Sequence, residues 1–445
     1  MHSRRVVISG LGAVSGFGVG AEALWDGLCA GDRAIRPVAS FDASAFGCPF
    51  ASEARDLDPK NHVPKSYRKS IKVMARDSEL AVVCADLAVA SAGLTTRATD
   101  DAEPTYPPGR QGCHIGAGLI AADSAELAGA FVNALDEDGR FSTRIWGESG
   151  MNRLQPLWML KYLPNMLACH VSIVHGCEGP SNTVTCSESS GLLSIGESVR
   201  VIQRNDADVC FAGGAESKIT PMGLMRTQMA RRLPEVRTLE EAVAATLPYR
   251  EASGGHVVGE GGGICILEHA DAARARGVTP WAEVAGFGAG QSLIAYTAVV
   301  RGRLPAMPEA DSGMVRAINA ALRDAGVTPD QIDAIVPHAM GVASIDRAEA
   351  GALRQVFGDR LGSIPLVTMT PAVGECFAGR GGLQVAAGAM CLKHQRLPAR
   401  LGGDSTLPGL DAGPAAARDA NLDLVLVCAT SAAGSNAAVV LRRAS

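Results

Sequence analysis

Two rhythms of apolar and polar residues take turns along the chain. Short apolar runs rich in β-branched residues occupy positions 5–9, 182–186, 208–212, 262–267, 332–337, 422–429 and 437–441, which is the length and composition of buried strands. Between them, apolar residues recur every three or four positions. In residues 21–30 this puts Leu24, Trp25 and Leu28 on one helical face, and the same spacing predicts helices over 70–92, 191–204, 311–325, 348–357 and 383–394. Asp311 and Ser312 provide a cap for the helix that follows them. Such alternation predicts α/β layers.

One plan is used twice. "VVISGLGAVS" at the N-terminus and "AEVAGFGAGQS" in the second half both read as a strand, a tight glycine turn and then polar residues. The first turn is expected at Gly10, Leu11 and Gly12; the second closes a strand over residues 281–286. Polar or Pro/Gly-rich stretches at 95–110, 135–150 (a possible lid) and 401–418 are expected at the surface.

Composition narrows the picture. The 445 residues are 47% hydrophobic and only 4% aromatic, with 51 glycines, which favours close-packed α/β layers over an aromatic-rich sandwich. A net charge of -5 gives no footprint for nucleic acid, and Arg301-Gly302-Arg303 and Arg442-Arg443 read as solvated surface. The 12 cysteines form no CxxC pair; Cys84, Cys210, Cys265 and Cys428 sit in apolar runs as small hydrophobes, which fits a reducing cytoplasm rather than a disulfide framework or zinc site. Arg4-Arg5 ahead of Val6-Val7-Ile8 imitates a signal peptide, but Ser9, Gly10 and Gly12 interrupt the run, so it is read as a buried first strand. No stretch approaches the roughly 18 uninterrupted apolar residues of a membrane span. Gly10-x-Gly12-x-x-Ser15 imitates a dinucleotide turn, but the third glycine is missing and Asp32 follows a helix. No nicotinamide or other cofactor is expected.

Longer blocks carry a family resemblance. "RRVVISGLGAVSGFGVGAEALWDGLCAGDRAIRPVASFD", "LPNMLACHVSIVHGCEGPSNTVT", "IGESVRVIQRNDADVCFAGGAESKITPMGL", "HVVGEGGGICILEHADAARARG" and "GSNAAVVLRR" resemble, in order, segments of β-ketoacyl-ACP synthases of the thiolase-like superfamily. The resemblance implies an α/β, thiolase-like five-layer αβαβα fold made of two similar halves, residues 1–268 and 269–445. It also implies a nucleophilic cysteine at the head of a buried helix, where the N-terminus lowers a thiol's pKa, and two histidines that assist decarboxylation.

The matching positions depart from that set. Counting back from Ile195-Gly196-Glu197 puts the nucleophile position at Glu188; the first histidine is His338 and the second position is Glu375. Cys186 lies two residues before Glu188 and is read as a buried structural thiol turned away from the pocket, with a displaced nucleophile as the alternative. The family's arm-binding threonines correspond to Met340 and Val342, its lysine to Thr370 and its gating phenylalanine to Ala432, while Asp346 and Glu349 match. A carboxylate cannot hold an acyl chain as a thioester, and one at position 375 repels a developing oxyanion. If Glu188 and Glu375 share a pocket, they are expected to share a proton, with one pKa raised; a metal-ligand set is the alternative.

The resemblance therefore implies a chain-length-factor-like subunit. Its partner would be an active ketosynthase, with the region 182–193 at the interface and an acyl carrier protein as the substrate carrier. Two other readings stay open: an enzyme using Glu188 and His338 for malonyl-carrier decarboxylation or aldol-type cyclisation, and a homodimer that binds a small molecule.

Overall fold

The computed structural model describes residues 4–99, 102–251, 254–293, 308–403 and 406–444. Its framework is a ten-stranded sheet. The nine strands of its main path are β1 (Val6–Ser15), β2 (Gln111–Gly116), β3 (Ser181–Val184), β4 (Val209–Glu216), β5 (Gly261–His269), β6 (Ala282–Gln291), β7 (Ala334–Val336), β8 (Leu424–Thr430) and β9 (Ser435–Arg442). They run in the order β7-β8-β9-β6-β1-β5-β4-β2-β3, and the short strand Gly18–Val19 pairs beside β1. The halves join through a brief antiparallel pairing of Val7 with Glu283 and Ile8 with Ala282.

Seven helices complete the layers: α1 (Ala21–Ala30), α2 (Arg76–Ala92), α3 (Met166–His175), α4 (Ser190–Gln203), α5 (Ser312–Ala325), α6 (Ala343–Phe357) and α7 (Arg380–His394). Three hydrophobic cores show how they stack. α2 and α3 pack against one face of the first half, and α5 and α6 against one face of the second. Between the halves lie α4 and α7, sharing a core with β1, β8 and β9. α7 is buried from Arg380 to Leu392, as a helix enclosed on all sides must be. This is the five-layer α/β arrangement of the thiolase-like fold.

The expected glycine turns are not turns. β1 runs straight through Gly10 and Gly12 with one bulge between Ile8 and Gly10, and β6 runs through Gly286 and Gly288 with a bulge between Val284 and Gly286. The glycines serve close approach instead. A Cβ on Gly10 or Gly12 would meet the carbonyls of Ala88 and Cys84 on α2 at 2.2 and 1.9 Å. One on Gly286 or Gly288 would meet those of Ala321 and Ala317 on α5 at 2.3 and 2.1 Å. The duplicated motif is thus a helix-packing stripe in each half.

Other expectations shift at their edges. The helix expected over 70–92 starts at Arg76, because a 3-10 turn over Lys65–Val73 precedes it and Met74 and Ala75 are extended. The helix expected from 348 starts at Ala343, and that expected from 383 starts at Arg380. The stretch 135–150 is not a plain loop: it holds a helix over Thr143–Glu148 and packs Phe131, Phe141 and Trp146 together. Arg442 and Arg443 pair with Glu283 and Asp423, while Arg301-Gly302-Arg303 lies outside the described residues. Among the described residues, no helix is long and apolar enough to cross a membrane.

Candidate functional site

Three loops meet at the heads of α4 and α7. The first is the 3-10 turn Ser187–Ser189 that feeds α4. Ser187 has φ of 53°, a left-handed conformation that is uncommon for a residue with a side chain. The next residue, Glu188, is buried to 1% exposure at the helix head. Its Oε1 is 2.5 Å from Arg232 Nη2.

Arg232 is itself held from several sides. Its carbonyl accepts the His256 N–H at 2.9 Å. Its guanidinium lies 5.6 Å from the Phe377 ring centroid, and Nη2 is 3.4 Å from Met340 Sδ. Glu188 Oε2 and Arg232 Nε, both buried, have no hydrogen-bond partner among the described residues. Glu188, Arg232 and Phe377 line a 380 Å³ cavity together with Thr185, Glu216, Lys218 and Arg226. Lys218 Nζ pairs with Glu216 and donates to the Leu119 carbonyl at 2.6 Å.

The second and third loops form a sealed cluster. His338 and Glu375 are fully buried, with Nε2 and Oε2 3.4 Å apart. Arg380, the first residue of α7, lies 3.7 Å from the same oxygen and donates to the His338 carbonyl at 2.6 Å. Glu375 Oε1 accepts the Phe377 N–H at 2.8 Å. Burial by itself raises the Glu375 carboxyl's pKa, but interactions with His338 and Arg380 outweigh it and hold the group well below the usual carboxylate range. His338 Nδ1 accepts the Thr430 N–H at 3.3 Å, which turns the other ring nitrogen, Nε2, toward Glu375. Glu349 fixes this loop by accepting the N–H groups of His338 and Ala339, both at 2.8 Å. Ala339 has φ of 50° and Phe377 of 48°. Each of the three loops therefore carries one residue in a costly backbone conformation beside or near its site residue.

His256 completes the chamber. It is fully buried and its ring meets Phe377 edge-on at 5.6 Å. Burial first, then the charge of Arg232, pushes its pKa down to about 3. It is neutral at ordinary pH, and neither ring nitrogen has a hydrogen-bond partner among the described residues.

Several expectations need correction. Glu188 and Glu375 do not share a proton: each has its own cation, Arg232 for the first and Arg380 for the second. Cys186 is half-buried rather than buried, and none of the described residues lining the cavity is a cysteine. Met340 and Val342 pack with Ile345 into an apolar cluster, with Ala432 against it. Thr370 Oγ1 donates to the Ala339 carbonyl at 2.5 Å. None of Met340, Val342, Thr370 and Ala432 lines the cavity over Glu188. Among the described residues, no group of three or more His, Cys, Asp or Glu is arranged to hold a metal.

Arg232, His256, Phe377 and Arg380 were not anticipated from the sequence. Arg380 left a signal, a lone charge opening an otherwise apolar helix five residues after Glu375. A buried cation of this kind requires an anion close by. His256, next to the apolar "VVGEGGG" run, left a weaker one.

The family model for the β-ketoacyl synthase N-terminal domain matches residues 3–273, and that for the C-terminal domain matches residues 294–404. The chain belongs to the β-ketoacyl synthase family. It is 29% identical to a 3-oxoacyl-[acyl-carrier-protein] synthase 2 of Coxiella burnetii, over 100% of this chain and 99% of that protein. A protein of the same name from Staphylococcus aureus is 28% identical over 99% of both. Among solved structures, the ishigamide ketosynthase/chain length factor superposes with a TM-score of 0.81 at 26% identity, covering 100% of both chains. A β-ketoacyl synthase from Burkholderia phymatum gives the same TM-score at 24% identity, over 99% of this chain and 100% of that one, and shares the fold.

Proposed function

We propose that this β-ketoacyl synthase homologue does not condense acyl groups, and that it serves as a chain-length-factor-like partner of an active ketosynthase in type II polyketide or fatty-acid-like synthesis. The observation that carries this reading is the carboxylate of Glu188 at the head of α4, ion-paired with Arg232, in the wall of a cavity that no thiol among the described residues lines. A paired carboxylate is a poor nucleophile toward a thioester, and an anionic Glu375 beside His338 opposes the negative charge of an enolate. Met340 and Val342, packed into an apolar cluster, offer no hydroxyl to a phosphopantetheine arm. The two halves, divided at residues 268 and 269, then act as scaffold around a silent site.

Partnership is supported by surface features. β3 is an edge strand of the sheet with Ser181 and Asn182 exposed, and an open edge is a template for pairing. Leu119, Val132, Leu157 and Met159 are exposed apolar residues available to a partner surface. Lys65, Lys69 and Lys72 are exposed on the 3-10 helix Lys65–Val73 without an ion-pair partner among the described residues, and such cations suit the phosphate of a carrier-protein arm. The likeness to the ishigamide ketosynthase/chain length factor agrees with this reading.

A second reading rests on the strained loops and the His338–Glu375 contact: decarboxylation of malonyl-carrier or an aldol-type cyclisation using Glu188 and His338. The Arg232 ion pair weighs against it, because it occupies one oxygen of the proposed base. Co-expression with a synthase that has an intact Cys-His-His set, followed by size analysis and product profiling, separates the two. A heterodimer whose product length changes with this subunit supports partnership. Malonyl-carrier decarboxylation by the chain alone, lost in Glu188→Ala, supports the enzyme.

A further inference from the structure

A second cavity, of 530 Å³, lies at the head of α2 and shares no lining residue with the one over Glu188. Its wall is more apolar than polar, with Phe41, Met74, Ile120, Ile219 and Pro221 supplying hydrocarbon. Five charged residues are set into it: Arg76, Asp77, Glu79, Asp123 and Lys161. Both cations are committed. Arg76 Nη2 is 2.8 Å from Glu260 Oε1, its Nη1 is 3.5 Å from Glu79 Oε2, and Lys161 Nζ is 2.6 Å from Glu126 Oε1. Asp123 caps the helix Ser124–Val132 by accepting the Ala125 N–H at 2.8 Å. Asp77 is different. It is 3% exposed and forms no ion pair among the described residues. Its Oδ1 accepts the N–H of Ser217, another wall residue, at 3.3 Å, and no side chain donates to it. Burial raises its pKa to about 7; the charge of Lys218 opposes this and that of Glu216 adds to it. Lys218 is itself taken up by Glu216 and the Leu119 carbonyl.

We propose that this cavity is a binding site for a small aliphatic amine, with the ammonium group on Asp77 and the hydrocarbon against the apolar wall. A buried carboxylate without a counter-charge is costly, and an ammonium ligand supplies the one that the chain itself does not. Asp77 lies in the first turn of α2, whose N-terminus favours a carboxylate over a carboxyl. The partial positive charge at the other helix head in the wall, Ser124–Val132, is already answered by Asp123. Charge-assisted hydrogen bonds are roughly twice as strong as neutral ones, so an alcohol of the same length is a weaker ligand. A carboxylate ligand would meet Asp77, Glu79 and Asp123 with both wall cations already engaged. The phenyl ring, thioether and branched chains of Phe41, Met74, Ile120 and Ile219 then cover the alkyl part.

The test is binding of three probes of one length, hexylammonium, 1-hexanol and hexanoate, to the purified full chain, followed by ligand-observed NMR titration. Hexylammonium is expected to bind at least about tenfold more tightly than 1-hexanol, and hexanoate more weakly than either. Asp77→Asn keeps the size of the side chain and removes an unpaired buried charge, so the chain should still fold, as circular dichroism will show. In it the preference for the ammonium over the alcohol should vanish. Ile120→Trp fills the cavity from a different segment and should abolish hexylammonium binding, which keeps the proposal open to refutation if Asp77→Asn does not fold. No saturable binding of hexylammonium, equal or tighter binding of 1-hexanol, a preference that survives Asp77→Asn, or binding that survives Ile120→Trp would each overturn the proposal. Failure to form a heterodimer with a synthase would refute the partner reading and leave this contrast untouched, so the two ideas fail separately.

Discussion

Glu188 and Glu375 are both buried glutamates at the meeting point of the same helices, yet their surroundings differ. Glu375 is sealed: one oxygen takes a backbone N–H, and the other faces His338 and Arg380. Glu188 pairs one oxygen with Arg232 and lines a cavity, which Glu375 does not; the second oxygen of each acid is buried without a hydrogen bond among the described residues. The comparison separates a carboxylate that holds loops together from one that lies against a cavity wall. It also explains why the fold tolerates acids at positions where the family resemblance implies a thiol and an imidazole. Each acid is accompanied by a cation, Arg232 from a distant segment for Glu188 and Arg380 from the next helix for Glu375, and a buried charge without one would be prohibitive.

The sharpest way to break the comparison is to strand the sealed carboxylate. Arg380→Met leaves Glu375 with no buried cation and removes the donor to the His338 carbonyl. A loss of about 3–5 kcal/mol in urea unfolding is expected, with loosening of the 338–341 loop. Glu188→Ala should cost less, about 1–3 kcal/mol, because Arg232 is partly exposed and borders the cavity. Finding the reverse order would mean that the roles of the two acids are exchanged.

Acid titration sharpens the same contrast. His256 is neutral in the folded chain down to about pH 3, whereas an unfolded histidine takes up a proton below its ordinary 6.5. The unfolded state therefore gains protons first, and stability falls as pH drops below 6.5, by up to about 1.4 kcal/mol per pH unit for this group. Glu375 adds to the loss only below its ordinary value of 4.5, where the unfolded carboxyl protonates and the folded one does not. His256→Phe should raise stability by about 1 kcal/mol at pH 7 and flatten the decline between pH 6.5 and 4.5. Some decline persists, because burial also pushes His170 and His175 down to about 4. The smallest effect is expected at Cys186. Cys186→Ala should change stability by no more than about 0.5 kcal/mol and leave every activity of the chain unaltered.

The fold was more legible in the sequence than the site. Helix α1 spans the residues its periodicity predicts, because an amphipathic pattern reports directly on which face is buried. The apolar runs mark β1 and β6 as twin strands, but the pattern of their glycines also fits turns. A glycine that admits a neighbouring helix and a glycine that bends the chain look alike in one dimension. At the site, Glu188, His338 and Glu375 were visible because ordered blocks frame them. Their cations are harder to read: Arg232 comes from a segment remote from Glu188, and Arg380, only five residues after Glu375, is a lone charge whose partner the spacing alone does not name. The expectation of a shared proton failed for that reason: it considered the acids without the bases that accompany them.

One measurement bears most directly on the Glu188 account. The purified chain is incubated with an acyl-carrier thioester and, separately, with a cerulenin-like electrophile, and its intact mass is read by mass spectrometry. An unchanged mass in both reactions, with no elongated acyl product, is what a paired carboxylate at the head of α4 predicts. An adduct that maps to Cys186, together with acyl elongation by the chain alone, would contradict it.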